Sequence, residues 1–228
     1  MRILIVAATV LEIRPFLKKL NPLGKAEGRV SHYQLKDTQI DVLITGIGMM
    51  QTAYCLGKQI SASTYDLAIN AGICGSYRED LSIGEMVHVM EDCVPEMGSE
   101  EGEEFLSLFE IGLMDPDKSP FDQGRLINRS SVKSKHLSKL KVVKGATVNR
   151  IHGKLAGIQQ IISMYHPDIE SMEGAAFLYS CLSDHIPSAQ IRCISNYVAE
   201  KDKSRWDLPL SFNNLNKALW KITEELTI

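Results

Sequence analysis

Three polar side chains stand at or just after the ends of predicted strands, which is where an α/β fold usually binds its ligand. Glu12 follows the apolar run at residues 3–8, Glu173 stands in "SMEGAAF", and Asn196 ends "IRCISN". A carboxylate can take a proton or accept hydrogen bonds, and an amide can donate and accept at once. Two carboxylates and one amide therefore make a candidate catalytic set.

Each of these residues also has a purely structural interpretation. Glu12 falls in the first turn of a predicted helix, where a carboxylate is favoured by the helix N-terminus. Glu173 could cap the backbone N–H groups of its own helix, and Asn196 could simply form a turn. Taken singly, none of the three identifies a site.

The elements that would position these residues alternate along the chain. Strands are predicted at residues 3–8, 30–35, 40–45, 66–70, 83–90, 142–147 and 191–195, with helices at about 10–20, 48–60 and 154–164. "GICGS" is expected to be a glycine-bearing loop, and "DIESMEGAAFLYSCL" a short strand that enters a helix. A C-terminal helix carries an apolar stripe, at Phe212, Leu215, Leu219, Ile222 and Leu226.

This alternation predicts an α/β fold, a single-domain three-layer α/β/α sandwich around a mixed, mostly parallel central sheet. Residues 1–228 are expected to form one domain. Prolines and glycines make residues 95–125 a long irregular excursion from it.

Composition excludes several classes of protein. The 228 residues are 44% hydrophobic and carry a net charge of −3 without a basic block, which argues against a nucleic-acid surface. No apolar run approaches the ~20 residues of a membrane span. Five cysteines without a CxxC pair predict free thiols in a reducing cytoplasm.

Motif spacing argues against a metal or a cofactor. The six histidines show no HxH or HxxxH pair, so no metal site is expected. "GIG" and "GICG" do not meet the GxGxxG spacing, and no GxxxxGK[ST] loop occurs. We therefore expect neither a dinucleotide cofactor nor a nucleoside triphosphate.

The order of five motifs is more specific than any single residue. "ILIVAATVLEI", "LITGIGMMQTA", "AINAGICGS", "SMEGAAF" and "IRCISNYVAE" resemble, in this order, the nucleoside phosphorylase/nucleosidase family. The chain looks most like the branch that contains 5′-methylthioadenosine/S-adenosylhomocysteine nucleosidase. The resemblance covers nearly the whole chain and fails at residues 95–140.

The resemblance implies roles for individual residues. Glu12 would activate water, Glu173 with Met172 would hold the ribose, and the backbone near Val148 would bind and stack on the purine. Further substrate contacts would come from Ile47, Ile73 and Phe212. It also implies a small-molecule nucleoside substrate and a homodimer or larger homo-oligomer, with residues 95–125 as the expected contact.

The chain departs from that branch at Asn196. Adenine-specific members carry Ser-Asp where this chain has Ser195-Asn196, and their aspartate protonates purine N7. An amide cannot, but it can donate to O6 of a 6-oxopurine and accept from N7–H. Hypoxanthine, or else guanine, is therefore the expected leaving base.

Among members of the family, this pattern resembles futalosine hydrolase, which releases hypoxanthine in menaquinone biosynthesis. Its substrate carries a large carboxylate-bearing 5′ group. The lengthened segment "AEKDKSRWDLP" offers Arg205 as a carboxylate partner and Trp206 as an aromatic wall. Trp206 could equally serve only to anchor the loop.

Three further functions stay open. In family phosphorylases an arginine and a serine bind phosphate where this chain has Asn70 and Ile73, although Arg78 lies nearby. Hydrolysis is thus favoured over phosphorolysis of inosine. An adenine-directed nucleosidase and a non-catalytic nucleoside-binding protein complete the set of candidate functions.

Overall fold

The computed structural model describes residues 1–102, 104–198 and 205–227. The strands are Arg2–Ala7 (β1), Asn21–Pro22 (β2), Val30–Leu35 (β3), Thr38–Ile44 (β4), Leu67–Ser76 (β5), Met86–Cys93 (β6), Gly98–Glu101 (β7), Glu104–Ser107 (β8), Leu126–Ile127 (β9), Lys141–Thr147 (β10), Ile169–Ser171 (β11) and Ser188–Tyr197 (β12). The α-helices are Val10–Leu17 (α1), Met49–Ala62 (α2), Leu155–Tyr165 (α3), Gly174–Ser183 (α4) and Leu208–Leu226 (α5).

One mixed sheet organises these elements, as expected for the α/β class. Its strand order is β11-β10-β6-β12-β5-β1-β4-β3-β2, with β9 paired to β6. Parallel pairs join β4 to β1, β1 to β5, and β5 to β12, while β12 and β6 are antiparallel. β11 also pairs with β5, so strands β5, β12, β6, β10 and β11 close into a ring. This closure brings the ends of β5, β11 and β12 together.

Helices cover both faces of the sheet, which confirms the three-layer arrangement. Alternate residues of β1 pack on opposite sides, with Ile3 and Ile5 in one hydrophobic cluster and Leu4 and Val6 in the other. The first cluster includes side chains of α1 and α5, and the second those of α2 and α4. The predicted stripe on α5 is confirmed, because Leu215, Leu219 and Ile222 are fully buried.

The prediction of a loop at "GICGS" was wrong. These residues belong to β5, which runs on to Ser76 and pairs with β12 along this stretch. Glycine is needed at both positions because a side chain would crowd neighbouring polar groups. A Cβ on Gly72 would lie 3.2 Å from Arg192 Nη1 and from Glu12 Oε1, and one on Gly75 would lie 3.2 Å from Asn196 Nδ2. The strand therefore passes close beneath polar side chains.

The stretch at residues 95–125 contains regular structure that its composition did not predict. β7 and β8 form a two-stranded antiparallel hairpin within it, separate from the main sheet. Phe109 and Phe121 stack edge to face, and Phe121 also contacts Tyr179 of α4. The aromatic contacts attach this segment to the helical layer.

All five cysteines are free and buried, as predicted. Among the described residues, no helix is long and apolar enough to cross a membrane.

Gly174 is expected to tolerate no side chain, because it opens α4 against a buried polar group. A Cβ there would collide with Asp92 Oδ2 and Gln190 Nε2, and Asp92 is fully buried. We predict that Gly174→Ala lowers the free energy of unfolding by about 1–3 kcal/mol, as overpacking does. Denaturant unfolding measures this.

Gly57 provides the matched control within α2. A Cβ at Gly57 would meet nothing within 4 Å, so Gly57→Ala should raise the free energy of unfolding by roughly 0.5–1 kcal/mol through helix propensity. Equal effects of the two substitutions would contradict this account of α4 packing.

Candidate active site

A cavity of about 260 Å³ opens at the ends of β1, β5, β11 and β12. It lies where ligands bind in open α/β sheets, outside the strand ends. Its walls are formed by Ala8, Thr9, Glu12, Ile47, Ile73, Cys74, Gly75, Ile151, Glu170, Ser171, Met172, Glu173, Ser195, Asn196, Trp206 and Phe212. The cavity thus gathers all three polar residues proposed from the sequence.

Glu12 caps α1 and also lines the cavity, so its structural and its chemical interpretations are compatible. Its Oε2 accepts hydrogen bonds from the backbone N–H of Thr9 at 2.9 Å and the Thr9 hydroxyl at 3.0 Å, which closes the capping box of α1. Its Oε1 accepts a hydrogen bond from the backbone N–H of Ile73 at 3.3 Å. Burial raises the pKa of Glu12, and the nearby Glu173 adds to the rise, while Thr9 and Arg192 oppose it.

Glu173 does not cap its own helix, so that structural interpretation was wrong. The residue stands at the N-cap of α4, yet its side chain makes no capping hydrogen bond. Its Oε1 instead accepts from the backbone N–H of Gly48 at 2.9 Å, across 125 residues of sequence. Gly48 has φ +98°, a backbone conformation that favours glycine. The carboxylate is therefore held over the cavity by the turn before α2.

Asn196 has an oriented amide. The Ser195 hydroxyl lies 2.8 Å from Asn196 Oδ1, and Asn196 Nδ2 donates to the Tyr197 carbonyl at 3.2 Å. Ser195 Oγ also lies 3.1 Å from the Cys74 carbonyl, so its single hydrogen is shared between these two acceptors. With one partner on each atom, the amide keeps one N–H and one lone pair for a ligand. Asn196 is a wall residue of the cavity rather than a surface turn former.

Glu170 is a wall residue that the sequence reasoning did not single out. Its carboxylate is 7% exposed, and its Oε2 accepts from the Tyr77 hydroxyl at 2.7 Å. His152 Nδ1 lies 3.5 Å from the same oxygen. Burial raises the pKa of Glu170, against the lowering effect of Tyr77 and His152. The signal for Glu170 in the sequence was a charged residue within the short, buried strand β11.

Arg192 is a second polar residue that the sequence reasoning missed. It lies in the middle of β12, is 1% exposed, and donates through Nη2 to Asn70 Oδ1. Asn70 in turn donates to the Val6 carbonyl at 3.1 Å. The guanidinium lies behind the wall, near Gly72 and Glu12, and does not line the cavity. It therefore supplies positive charge to Glu12 from within the sheet.

Most of the predicted substrate contacts line the cavity. Ile47, Ile73, Met172, Phe212 and Trp206 all do. Trp206 therefore contributes to the wall, whether or not it also anchors its loop.

The side chains of Val148 and Arg205 lie outside the cavity wall, and the expected roles of the backbone near Val148 and of Arg205 stay predictions. Val148 follows β10, is fully buried and packs with Cys93, Ala146 and Ile161, so its side chain does not reach the cavity. Arg205 is exposed and outside the lining set. The first part of its segment, residues 199–204, lies outside the described residues.

The charges of the lining set favour a cation over an anion. Among the described residues of the wall, Glu12, Glu170 and Glu173 can carry negative charge, and none is a lysine or arginine. Arg78 is exposed and engages Asp80 at 2.6 Å and Asp168 at 2.8 Å, away from the cavity. A phosphate dianion would meet repulsion here, whereas a developing positive charge would be stabilised.

Comparison with known proteins agrees with the fold and with the resemblance seen in the motifs. A family model described as the phosphorylase superfamily matches residues 2–227. The futalosine hydrolase of Thermus thermophilus is 27% identical over 225 residues, covering 97% of this chain and 95% of that protein.

Solved structures share the architecture. The futalosine hydrolase of Helicobacter pylori superposes with a TM-score of 0.79 at 18% identity, covering 99% of this chain and 98% of that one. The 5′-methylthioadenosine/S-adenosylhomocysteine nucleosidase of Campylobacter jejuni superposes with a TM-score of 0.81 at 18% identity, covering 100% and 99%. At such identities the structures establish the fold alone.

The contrast between Glu173 and Thr9 predicts different effects on stability. Glu173→Gln should change the free energy of unfolding by no more than about 0.5 kcal/mol, because the amide oxygen can still accept from Gly48. Thr9→Ala breaks the capping box and should cost about 1 kcal/mol. Thermal unfolding of both variants tests this. If Glu173→Gln cost as much as Thr9→Ala, Glu173 would be a structural anchor.

Proposed function

The chain belongs to the phosphorylase superfamily, and we propose that it is a nucleosidase that hydrolyses the N-glycosidic bond of a 5′-substituted 6-oxopurine nucleoside. The proposed substrate is futalosine, and the products are hypoxanthine and dehypoxanthine futalosine, in menaquinone biosynthesis. The observation that carries this proposal is the oriented amide of Asn196 in one cavity with Glu12 and Glu173. The names of its relatives support the same assignment.

The sugar is where positive charge would develop. Cleavage of a glycosidic bond passes through an oxocarbenium-like transition state. Glu173 would accept hydrogen bonds from the ribose hydroxyls and offset that charge, with one oxygen held by Gly48. Met172, its neighbour in the wall, would pack against the sugar.

Glu12 would be the base that takes a proton from the attacking water. It must be ionised to do so, and burial brings its pKa upward from that of an exposed carboxyl. Thr9 donates twice to Oε2, whereas Oε1 accepts from the Ile73 backbone N–H at 3.3 Å and keeps a second lone pair for water. In this hydrolysis the glycosidic C–N bond breaks, a C–O bond forms between the ribose and water, and the water proton moves to Glu12.

Asn196 would receive the departing base. Its remaining N–H would donate to O6, and its remaining lone pair would accept from N7–H. Asn196 cannot itself supply the N7 proton, so that proton would come from solvent. Adenine presents the opposite pattern at C6 and would leave buried groups unpaired, which a site of this kind rejects.

The competing functions are less well supported by the site. Phosphorolysis would require a cation at the cavity wall, and the described wall carries three carboxylates instead. An adenine-directed nucleosidase would require an acid where Asn196 stands. A protein that only binds nucleosides would not need a buried, activated Glu12 beside Glu173.

We further propose that the protein acts as a homodimer in the cytoplasm. α2 presents Met50 at 82% exposure and Tyr54 at 71%, and Ile47 at the cavity edge is 57% exposed. A second copy packed on this face would cover these apolar side chains and close the cavity edge. Five buried free thiols fit a reducing compartment.

A substrate panel tests the reaction directly. We predict release of hypoxanthine from futalosine at a rate that does not depend on phosphate, with inosine slower and 5′-methylthioadenosine inert. Chromatography of the released bases, with and without phosphate, measures this. Turnover that required phosphate would establish a phosphorylase, and adenine release would establish an adenine-directed nucleosidase.

Glu12→Gln should keep the capping box, because glutamine serves at that position, and should lose the base. We predict a fall in kcat on the order of 10²–10⁴. In the unmodified protein, kcat/KM should fall as pH drops through the pKa of Glu12. This limb should lie above the pH at which an exposed glutamate titrates, about 4.3. Turnover unaffected by the substitution would remove Glu12 from the mechanism.

Substitution on α2 tests the proposed dimer. Met50→Glu should convert the dimer to a monomer in light scattering and raise KM, because the cavity edge is then uncovered. Leu113→Glu, at a residue 73% exposed within residues 95–125, is the matched control. Dissociation by Leu113→Glu alone would place the contact at the excursion expected from the sequence.

A further inference from the structure

Asp92 is a buried carboxylate that the proposed mechanism does not use. It lies on β6, is fully buried, and accepts three hydrogen bonds. The donors are the Thr147 hydroxyl at 2.8 Å, the Cys93 backbone N–H at 2.9 Å and the Gln190 side-chain amide at 3.0 Å. The carboxylate therefore orients side chains from two neighbouring strands, β10 and β12.

At neutral pH, Asp92 can only accept hydrogen bonds. Burial raises the pKa of its carboxyl to about 6, while the hydrogen bonds from Gln190 and Thr147 and the charge of Arg192 lower it. The carboxyl is thus mostly ionised at pH 7 and has no hydrogen to donate. The single hydrogen of the Thr147 hydroxyl is directed to Asp92, and the lone pairs of that oxygen are left for another donor.

That other donor belongs to the first turn of α4. The Ala175 backbone N–H donates to Thr147 Oγ1 at 2.7 Å, and the Gly174 N–H donates to Ser171 Oγ at 3.3 Å. The first N–H groups of a helix have no partner within the helix, and the Glu173 side chain does not cap α4. Thr147 and Ser171 supply the missing acceptors.

Asp92 also limits the position of α4 directly. A Cβ on Gly174 would collide with Asp92 Oδ2, so the helix begins in close contact with the carboxylate. Negative charge below a helix N-terminus is favourable. The first turn cannot move toward β6 without a clash, and it cannot move away without breaking the hydrogen bond from Ala175 to Thr147.

Glu173 stands immediately before this turn, so its placement depends on the turn. Its carbonyl accepts from the Phe177 N–H at 3.0 Å, and its Oε1 accepts from the Gly48 N–H at 2.9 Å. Glu173 thus connects α4 to the turn before α2. A shift of α4 would move the carboxylate relative to Gly48 and to the ribose, and misplacement by about 1 Å can cost on the order of 10² in rate.

We infer that Asp92 and Thr147 are positioning residues that fix the first turn of α4 and thereby hold Glu173 against the ribose hydroxyls. Neither side chain lines the cavity, and both act through the backbone N–H of Ala175. The inference rests on the proposed function and deepens it, because recognition of the ribose then depends on a buried pair behind the wall.

Thr147→Val and Thr147→Ser form a matched pair. Valine keeps the shape of threonine and removes both hydrogen bonds, whereas serine keeps the hydroxyl. The readout is kcat/KM for inosine divided by kcat/KM for 2′-deoxyinosine, because only inosine offers a 2′-hydroxyl to Glu173. Thr147→Val should lower this ratio on the order of tenfold, and Thr147→Ser should keep it within about twofold. The intrinsic lability of the deoxynucleoside is common to all variants and cancels.

A double-mutant cycle tests whether Asp92 acts through Thr147. Asp92→Ala removes the acceptor that orients the Thr147 hydroxyl, so it should also lower the ratio of inosine to 2′-deoxyinosine. In the Thr147→Val background it should change the ratio by no more than about twofold, because residues that act through one contact are not additive. Independent, additive effects would overturn the role of Asp92.

Leu178→Ala separates positioning from loss of stability. Leu178 is fully buried in α4 and has no part in the hydrogen bonds of the first turn. Its truncation should lower the melting temperature and leave the ratio of inosine to 2′-deoxyinosine unchanged. An equal fall of the ratio in Leu178→Ala, or an unchanged ratio in folded Thr147→Val, would overturn the inference.

Hydrogen exchange at the Gly48 amide tests the inference without turnover. This amide donates to Glu173 Oε1 and is distant from Thr147 in sequence. If the first turn of α4 positions Glu173, Thr147→Val should speed exchange at Gly48 on the order of tenfold relative to Thr147→Ser, as followed by NMR.

The outcomes separate the inference from the proposed function. Unchanged exchange at Gly48 in Thr147→Val, in a protein whose unmodified form hydrolyses inosine, would overturn the inference and leave the function intact. Absence of base release from futalosine and from both test nucleosides by the unmodified protein would overturn the proposed function, and with it the role toward the ribose.

Discussion

Three carboxylates share one small cavity, and the rest of the site follows from how they are kept apart and held. Like charges at short range repel, and burial adds a desolvation cost. Each carboxylate is therefore held by a different donor: Thr9 for Glu12, the Gly48 backbone for Glu173, and Tyr77 for Glu170. Such a cavity is prepared for a ligand that becomes positively charged, as the ribose does in the proposed reaction.

The ring of strands explains why the polar groups converge. Because β11 pairs with β5 as well as with β10, residues distant in sequence flank the single position of Gly75. The glycines of "GICGS" make this arrangement possible, because they let β5 pass beneath Asn196, Glu12 and Arg192 without steric conflict. Strand pairing thus sets the spacing of the polar groups around the cavity.

The sequence predicted those parts of the site that depend on local pattern. Glu12, Glu173 and Asn196 could be proposed because each stands at or just after the end of a predicted strand, and ligands bind beyond strand ends. The same reasoning, extended through the family resemblance, located most of the apolar wall. Fold class was accessible for the same reason, since alternation of strands and helices is itself a local signal.

The residues that the sequence did not predict owe their positions to contacts between segments that are distant in sequence. Glu170 acquires its place from Tyr77 and His152, which are 93 and 18 residues away, and no spacing rule connects them. Arg192 interrupts an apolar run, a signal of a buried charge, but its partner Asn70 lies on another strand. The expectation at Val148 concerned its backbone and stays a prediction, while packing shows that its side chain faces the core.

The central claim is that the amide at position 196 selects a 6-oxopurine, and exchange of that amide for an acid tests it most directly. The measurement is kcat/KM for futalosine and for 5′-methylthioadenosine in the unmodified protein and in Asn196→Asp. The account predicts that the substitution lowers kcat/KM for futalosine and creates measurable release of adenine, a shift of preference of at least about tenfold. Unchanged hypoxanthine release together with continued inactivity toward 5′-methylthioadenosine would contradict it.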